Sequence, residues 1–536
     1  MAEPVFSKPP PEGDHEPPPK PKRFWWRFTL GSTIIVLVTA AATATVILRY
    51  VDSIAKALSH NNVLQNKVEK FITQTHGGEP ENILILGSDK RASEPGDPGR
   101  SDTTILLRLD PDRNAIALMS IPRDLKVEIP GVGTDKFNAA FAYGGPKLTL
   151  RVVKELTGLP INHVVNVNYL GFVRAVDAIN CVYVDVDRRY FHSNLGVPAS
   201  EQYSEINVQP GYQLLCGKKA LQYVRYRHTD TDLVRAARQQ DFISAARERV
   251  PIDDFVLDRN DLIDIFTEYT TSDINDKETM LDVLKLFVSS RNATIKEVHF
   301  PAELGPSYVY ASPEMIEDTV DQFLGIEASS GPRGSLEEGS SKKKGKKNKK
   351  GKGQQKPHLG PTKLPGSDGL VPAREAGELE AKPVARKVSA GFPVFYPTRL
   401  PSGAFYVESN PYEHIKDPRV YHFKDPDGKR HGAYRMVAEW PQSDGIHYFG
   451  LQGVQGWSDP PILDSPSLTK TINGRDYDIY VDGDRIPIVA WHRGDNSYWV
   501  ANDLLNTLTN DQMIGIARSA SVKIPNPKRK GGKAKR

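Results

Sequence analysis

Two aspartates stand at the ends of apolar runs, where a hard cation could be held. NILILGSD, residues 82–89, has the pattern of a buried strand closing on a glycine turn, and RSD, residues 100–102, opens the next such run after a Gly/Pro-rich loop. Neighbouring strands would bring Asp89 and Asp102 to one edge. Oxygen donors with no histidine or cysteine beside them favour Mg²⁺ or Mn²⁺ over zinc, although aspartate after a strand is also an ordinary turn residue. A third run ends in SIPRD, residues 120–124, and sends Arg123 towards the same edge. Further on, ALQYVRYR ends in Arg225 and Arg227 and is followed by Asp230, Asp232, Arg235, Arg238 and Gln239. Arg225 and Arg227 share a face if the segment is extended, whereas Arg235, Arg238 and Gln239 share one at helical spacing. Several guanidiniums around a carboxylate pair suit a diphosphate held by metal and arginine forks. The same charges would also serve as a surface salt-bridge network, worth little by itself.

The elements that must carry these groups alternate in type. Strand patterns at 82–89, 103–110 and 114–122 flank the turn signal Asp110-Pro111-Asp112, and Val182–Val186 alternates as another strand. Helical spacing is read at Lys147–Leu156, Tyr169–Ala178, Leu233–Glu248, Asn260–Tyr269, Thr279–Val288 and Pro313–Phe323. Interleaving of this kind predicts an α/β class with a mixed central sheet flanked by helices.

Outside this core the chain divides by composition. Residues 1–23 are rich in proline and charge and read as a disordered cytoplasmic tail. The uncharged run from Phe28 to Leu48 is long enough to cross a bilayer of about 30 Å, so 24–49 is expected to be a transmembrane helix. Lys20, Lys22, Arg23 and Arg27 precede it, which keeps the N-terminus cytoplasmic and the main domains extracytoplasmic. A helical stem, 50–78, leads to the core domain, 79–326. A basic linker follows at 327–390, then a separate α+β unit of unknown role at 391–521, and a basic tail at 522–536. The linker composition makes the C-terminal unit look dispensable for the chemistry.

The net charge of +4 is exceeded by the nine lysines between Lys342 and Lys356, so the balance gives no reason to expect nucleic acid as partner. Cys181 and Cys216 are the chain's two cysteines, and an oxidising compartment would let them pair. Trp440, Trp457, Trp491 and Trp499 of the C-terminal unit are read as core aromatics in preference to a carbohydrate platform.

Five stretches in order resemble the motif series of LytR-CpsA-Psr domains: NILILGSD with RSDTTILLRLD, ALMSIPRDLKV, DKFNAAFAYGGPKL, VVNVNYLGFVRAVDAI and GKKALQYVRYRHTDTDLVRAARQQDF. The resemblance covers roughly residues 79–325. It implies an α/β fold around a hydrophobic tunnel for a polyprenyl chain. It also implies transfer of a glycopolymer from a polyprenyl diphosphate carrier to peptidoglycan or another wall acceptor, at the cytoplasmic membrane. Asp89 and Asp102 match the family's Mg²⁺-site acids, and Arg123, Arg225 and Arg227 its diphosphate-contacting arginines. Asp232, Arg235, Arg238 and Gln239 match its following stretch. Arg100, and less closely Arg91, fall in a loop of variable length. The family often carries paired glycines where this chain has Asn180 and Cys181, and the cysteine pair resembles the actinobacterial branch. Leu148, Val152, Leu156, Phe172, Val173 and Val176 could line the tunnel but are read as core. The rival readings are a non-catalytic sensor or scaffold that binds the lipid-linked ligand, and a hydrolase of the same diphosphate.

Overall fold

A computed structural model describes residues 68–325, Arg333 and 368–525. It has breaks at 77, 89–98, 100, 199–203, 227–228, 250–269, scattered positions between 275 and 302, 408–418 and 444. The expected cytoplasmic tail, transmembrane helix, most of the stem, the helix at Asn260–Tyr269, nearly all of the linker up to 367 and the tail from 526 lie outside the described residues. Among those described, no helix is long and apolar enough to cross a membrane.

The apolar runs become the centre of a mixed six-stranded sheet. β1 (Glu81–Ser88), β2 (Ser101–Asp110) and β3 (Ala115–Ser120) are joined by the hairpin β4 (Lys126–Ile129) and β5 (Gly133–Lys136) to helix α1 (Ala139–Thr157) and strand β6 (His163–Asn168). Helix α2 (Tyr169–Ala178) follows, then β7 (Val182–Val186), β8 (Tyr190–His192), β9 (Ile206–Val208) and β10 (Gly211–Leu215). Helices α3 (Gly217–Arg225) and α4 (Asp232–Arg249), strands β11 (Thr270–Ser272) and β12 (Thr294–Val298), and helix α5 (Pro313–Gly325) close the domain. The sheet order is β11-β6-β1-β2-β3-β12. β6 runs parallel to β1 and β12 parallel to β3, and the remaining pairs are antiparallel.

Period-two alternation sorts the strand residues onto two faces. Leu84, Leu86, Leu106 and Met119 pack with Leu150, Val152 and Val153 of α1 and Phe323 of α5, while Ile83, Leu109, Ile116 and Val165 pack with Ile274 and Leu286 on the other side. Val152, Leu148 and Leu156 therefore belong to the core, as do Val176 and Phe172 in a second cluster built on β7, β10, α3 and α4.

The C-terminal region is mostly β and begins earlier than its composition suggests. Leu370–Pro372 is a strand and Arg374–Lys387 a helix, α6, both inside the stretch expected to be linker. Charge dominates α6, yet Gly377, Ala381 and Val384 form a buried small-residue stripe that sets it against the rest of the unit. An eight-stranded antiparallel sheet from Phe405 to Ala501 and a last helix, α7 (Asn510–Ser519), complete it. A Thr509–Gln512 capping box starts α7. Trp491 and Trp499 are fully buried, and Trp440 and Trp457 pack against the cores, so the tryptophans are structural.

This sheet is packed on the first domain. Alternation along β7 turns Val182, Val184 and Val186 into their own core and Tyr183 and Asp185 outward, where Tyr183 and Tyr212 join Tyr421, Val454 and Trp499 in one cluster. Asp185 accepts from Arg435 at 3.1 Å and from the Trp499 indole at 2.9 Å. Gly211 has φ +102, and a Cβ there would meet the Tyr421 hydroxyl at 2.5 Å, so only glycine fits this contact. Arg333 bridges Asp241 and Glu297 of the first domain to Asp482 of the second. Separate-domain behaviour is therefore not expected. Truncation at about residue 330 should strip this aromatic cover and lower the thermal midpoint of the remaining domain. Arg435→Ala in the full chain should cost about 3–5 kcal/mol, because it leaves Asp185 buried without its cation. Denaturant titration of each variant checks both.

A buried ion triad anchors the sheet edge at β6 and β11. His163 lies 2.8 Å from Asp273 and 3.5 Å from Glu81, and Asp273 also accepts the Val164 amide at 2.6 Å. Burial works against protonation, but the two carboxylates win and push the imidazole up to about 9. The raised value means that the contribution is full below about 6.5, the ordinary histidine value, and is lost as pH rises through about 9. Unfolding free energy should fall by up to about 3 kcal/mol over that window, and His163→Gln should flatten the profile.

Candidate active site

Antiparallel pairing places the start of β2 level with the ends of its two neighbours. Gly87 pairs with Thr103 and Ser88 with Ser101, so a bulge leaves Asp102 as the extra residue of β2, while Ile105 pairs with Ser120 and Ser88 pairs in parallel with Asn168. Asp102, Arg123 and Tyr169 thus come to one edge from three chain segments. Gly87 allows the close approach, since a Cβ there would stand 3.0 Å from that of Thr103.

The carboxylate of Asp102 is gripped from two sides. Arg123 donates to one oxygen at 3.1 Å and the Tyr169 hydroxyl to the other at 2.9 Å. Arg123 also meets Asp124 at 3.4 Å, and Lys136 holds the far side of Asp124 at 3.0 Å. The Arg225 guanidinium lies over the Tyr169 ring, 3.8 Å from its centre. A cavity of about 210 Å³ opens here, lined by Asp102, Tyr169, Lys218, Gln222, Arg225, Arg235 and Gln239 among others.

The segment that ends in Arg225 is helical, not extended. α3 ends at Arg225, so Lys218, Leu221, Gln222 and Arg225 line the cavity at i, i+3, i+4 and i+7 of one helix face. Arg225 ends this helix, and Arg227 lies outside the described residues.

The second group of arginines divides. Arg235 and Gln239 line the cavity, and Gln239 donates to the Val224 carbonyl at 3.2 Å. Arg238 is fully buried behind it. Its guanidinium donates to the carbonyls of Tyr223 at 2.7 Å and Tyr226 at 3.0 Å, and pairs with Asp230, which also pairs with Arg188. Burial opposes the Arg238 charge, yet Tyr190 and Asp230 raise its pKa above the ordinary arginine value. Arg238 thus pins the end of α3 against α4. Asp89, Arg91, Arg100 and Arg227 lie outside the described residues, and of Asp232 only the backbone, the first residue of α4, is described.

The cysteines are joined, Cys181 to Cys216. The bond ties the C-terminal end of α2 to the N-terminal end of α3, and Gly217 donates to Asp177 at 2.8 Å beside it. Tyr169 and Arg225 meet at the opposite ends of the same two helices, so the pair is fixed at both ends. Asn180 and Cys181 have φ of 57° and 67°, in the left-handed region where glycine is at ease. That requirement explains why paired glycines suit this turn. Tyr169, which donates to the Asp102 carboxylate, is a site residue that the sequence motifs do not single out. The signal for it is Asn168, whose side chain caps α2 by accepting from the Gly171 amide at 2.8 Å.

Comparison with known proteins decides the family. The LytR_cpsA_psr family model matches residues 46–329, more than half of the chain. The chain belongs to the LytR-CpsA-Psr family. Among its relatives is a polyisoprenyl-teichoic acid–peptidoglycan teichoic acid transferase, TagU of Oceanobacillus iheyensis. It is 31% identical over 317 residues, spanning 56% of this chain and 94% of that protein. TagT of Bacillus subtilis is 36% identical over 171 residues, covering 32% of this chain and 52% of the relative. LcpB of Corynebacterium glutamicum, a probable cell wall biosynthesis protein, is 37% identical over 189 residues, covering 32% and 42%. The chain thus spans only about half of these last two. A solved structure, TagT bound to LI-WTA, is 25% identical with a TM-score of 0.38, covering 49% of this chain and 98% of that one. The LytR-CpsA-Psr match stops at 329, ahead of the C-terminal sheet.

The disulfide should stabilise the LytR-CpsA-Psr domain by roughly 4 kcal/mol in the chain-entropy model for a loop of this size. Cys181→Ser with Cys216→Ser should lose most of that in denaturant unfolding, and thiol titration of the denatured, unreduced native chain should find none.

Proposed function

We propose that this LytR-CpsA-Psr chain is a phosphotransferase of the cell envelope. It moves a glycopolymer from a polyprenyl diphosphate carrier to peptidoglycan or another wall acceptor and releases polyprenyl phosphate. The observation that carries this reading is the Asp102 carboxylate gripped by Arg123 and Tyr169 under Arg225 and Arg235. It is the charge pattern a diphosphate needs. The activity of the TagU relative, 94% of whose length is matched, supports it.

In the proposed step an acceptor sugar hydroxyl attacks the phosphorus that carries the glycopolymer. A new P–O bond forms, the bond to the bridging oxygen breaks, and polyprenyl phosphate leaves with the electron pair. Arg123, Arg225 and Arg235 hold the diphosphate and stabilise charge on its oxygens as the bond breaks. Tyr169 fixes the Asp102 carboxylate and gives Arg225 a face to lie on. An all-oxygen donor set suits Mg²⁺ or Mn²⁺, which Asp102 and Asp89 would hold. A bound ion there would neutralise diphosphate charge. The proton of the acceptor hydroxyl has three candidate takers, Asp89, Asp102 and Asp232.

The same proposal places 24–49 in the cytoplasmic membrane with the folded domains outside, beside a lipid-borne donor whose polyprenyl chain enters an apolar tunnel. The cysteine pair and the relationship to LcpB support an actinobacterial type.

Asp102→Ala should abolish release of polyprenyl phosphate while circular dichroism stays native. Arg123→Ala should slow it by about 10³-fold or more. Arg123→Lys should recover only part, as a point charge cannot replace a bidentate fork. The assay supplies a polyprenyl-diphosphate-linked glycan, an acceptor glycan and Mg²⁺, and follows both release and attachment. Unchanged turnover in both alanine variants would refute the site, release without attachment would mark a hydrolase, and ligand binding without release a sensor.

A further inference from the structure

A cavity of about 840 Å³ lies between the LytR-CpsA-Psr domain and the C-terminal sheet. Two pieces of backbone serve both it and the candidate active site. Arg225 lines the active-site cavity and the next residue, Tyr226, lines the interdomain cleft. In the β8–β9 ribbon, Ile206 faces the active-site cavity, while Phe191, which precedes Ile206's partner His192, faces the cleft. The two spaces are therefore separated by little more than one layer of chain.

The lining has a particular chemistry. Large apolar side chains that stand exposed gather here: Leu379 is 61% exposed, Ile446 52%, Phe405 50% and Phe191 37%. Charges of both signs interleave with them. Arg189 lies over the Phe191 ring at 4.2 Å, and Glu380 and Glu439 line the opposite wall, with Glu439 raised above the ordinary glutamate value by partial burial. A polyprenyl chain would desolvate these charges without pairing them. An anionic polymer would meet the two glutamates, against Arg189 and an Arg188 whose charge Asp230 already compensates. Neutral sugar rings meet both demands, because their C–H faces stack on aromatic and aliphatic groups while hydroxyls and amides bond to arginine and carboxylate.

We propose that this interdomain cleft is a carbohydrate subsite that holds the neutral amino-sugar strand of the acceptor beside the transfer centre. It rests on the transferase reading above for the word acceptor, and on the cleft alone for carbohydrate. The C-terminal sheet then supplies acceptor binding through Phe405 and Ile446, and the LytR-CpsA-Psr domain supplies the phosphoryl chemistry.

Calorimetry on the detergent-solubilised full chain tests it, with a β-1,4-linked N-acetylglucosamine tetrasaccharide as probe. The wild type should bind, Phe405→Ala with Ile446→Ser should bind at least about tenfold more weakly, roughly 1.4 kcal/mol, and Asp102→Ala should bind like the wild type. In the transfer assay the double variant should raise the acceptor KM and leave donor affinity unchanged. Absence of wild-type binding at millimolar probe, equal binding by the double variant, or displacement of the probe by poly(glycerol phosphate) would overturn the subsite. Cleft-dependent binding by a chain that transfers nothing would sustain the carbohydrate site and refute the transferase reading instead.

Discussion

The hydrogen-bonded grip on Asp102 depends on strand direction. Because β2 runs against both β1 and β3, its first residues lie beside the last residues of each, and a carboxylate at position 102 meets an arginine that follows β3 at position 123. The parallel pairing of β6 with β1 adds the third member, since β6 ends level with β1 and hands Tyr169 to the same edge. A reversed β6 would carry Tyr169 to the far side of the sheet. The polar cluster is thus a consequence of an apolar sheet whose two faces pack into different cores, which fixes register because a one-residue slip would send each face's residues into the wrong core.

Around that edge the arginines hold different offices because of where their helices lie. α2 and α3 are joined by the disulfide at one end and by the Arg225–Tyr169 contact at the other. Arg238 turns its donors onto carbonyls at the end of α3 and onto Asp230, so its charge is compensated inside the protein. Arg235, one turn earlier on α4, faces the cavity instead. Residues three apart on one helix are close in direction, but the end of α3 lies between their heads and assigns one to the interior and one to the site.

The C-terminal sheet changes what the first domain is. Tyr183 and Tyr212 would be large apolar groups facing solvent without it, and Asp185 would lack Arg435. Alternation in β7 supplies both faces from five residues, the valines to one core and Tyr183 and Asp185 to the other. The interface therefore requires no segment of its own.

Read alone, the sequence carries the α/β class, the strands around 82–120, the helices from 147 and 169, the ordered motif series, and Asp102 and Arg123 at one edge. Those follow from hydrophobic periodicity and turn residues, which are local. The cysteine pairing was legible from the count of two, given the oxidising compartment that the sequence leads one to expect. The helical state of Arg225 did leave a signal, since Ala220, Leu221, Tyr223 and Val224 stand at i, i+1, i+3 and i+4, but the element is only nine residues long. The place of Tyr169 was not legible, since a tyrosine after a strand carries no sign of its partner until β6 is laid parallel to β1. The small-residue face of α6 was hidden under its charges. Which arginine faces the cavity, and that the two sheets share an aromatic interface, were decided only by tertiary packing, because both depend on contacts between residues tens to hundreds of positions apart, which no local pattern encodes.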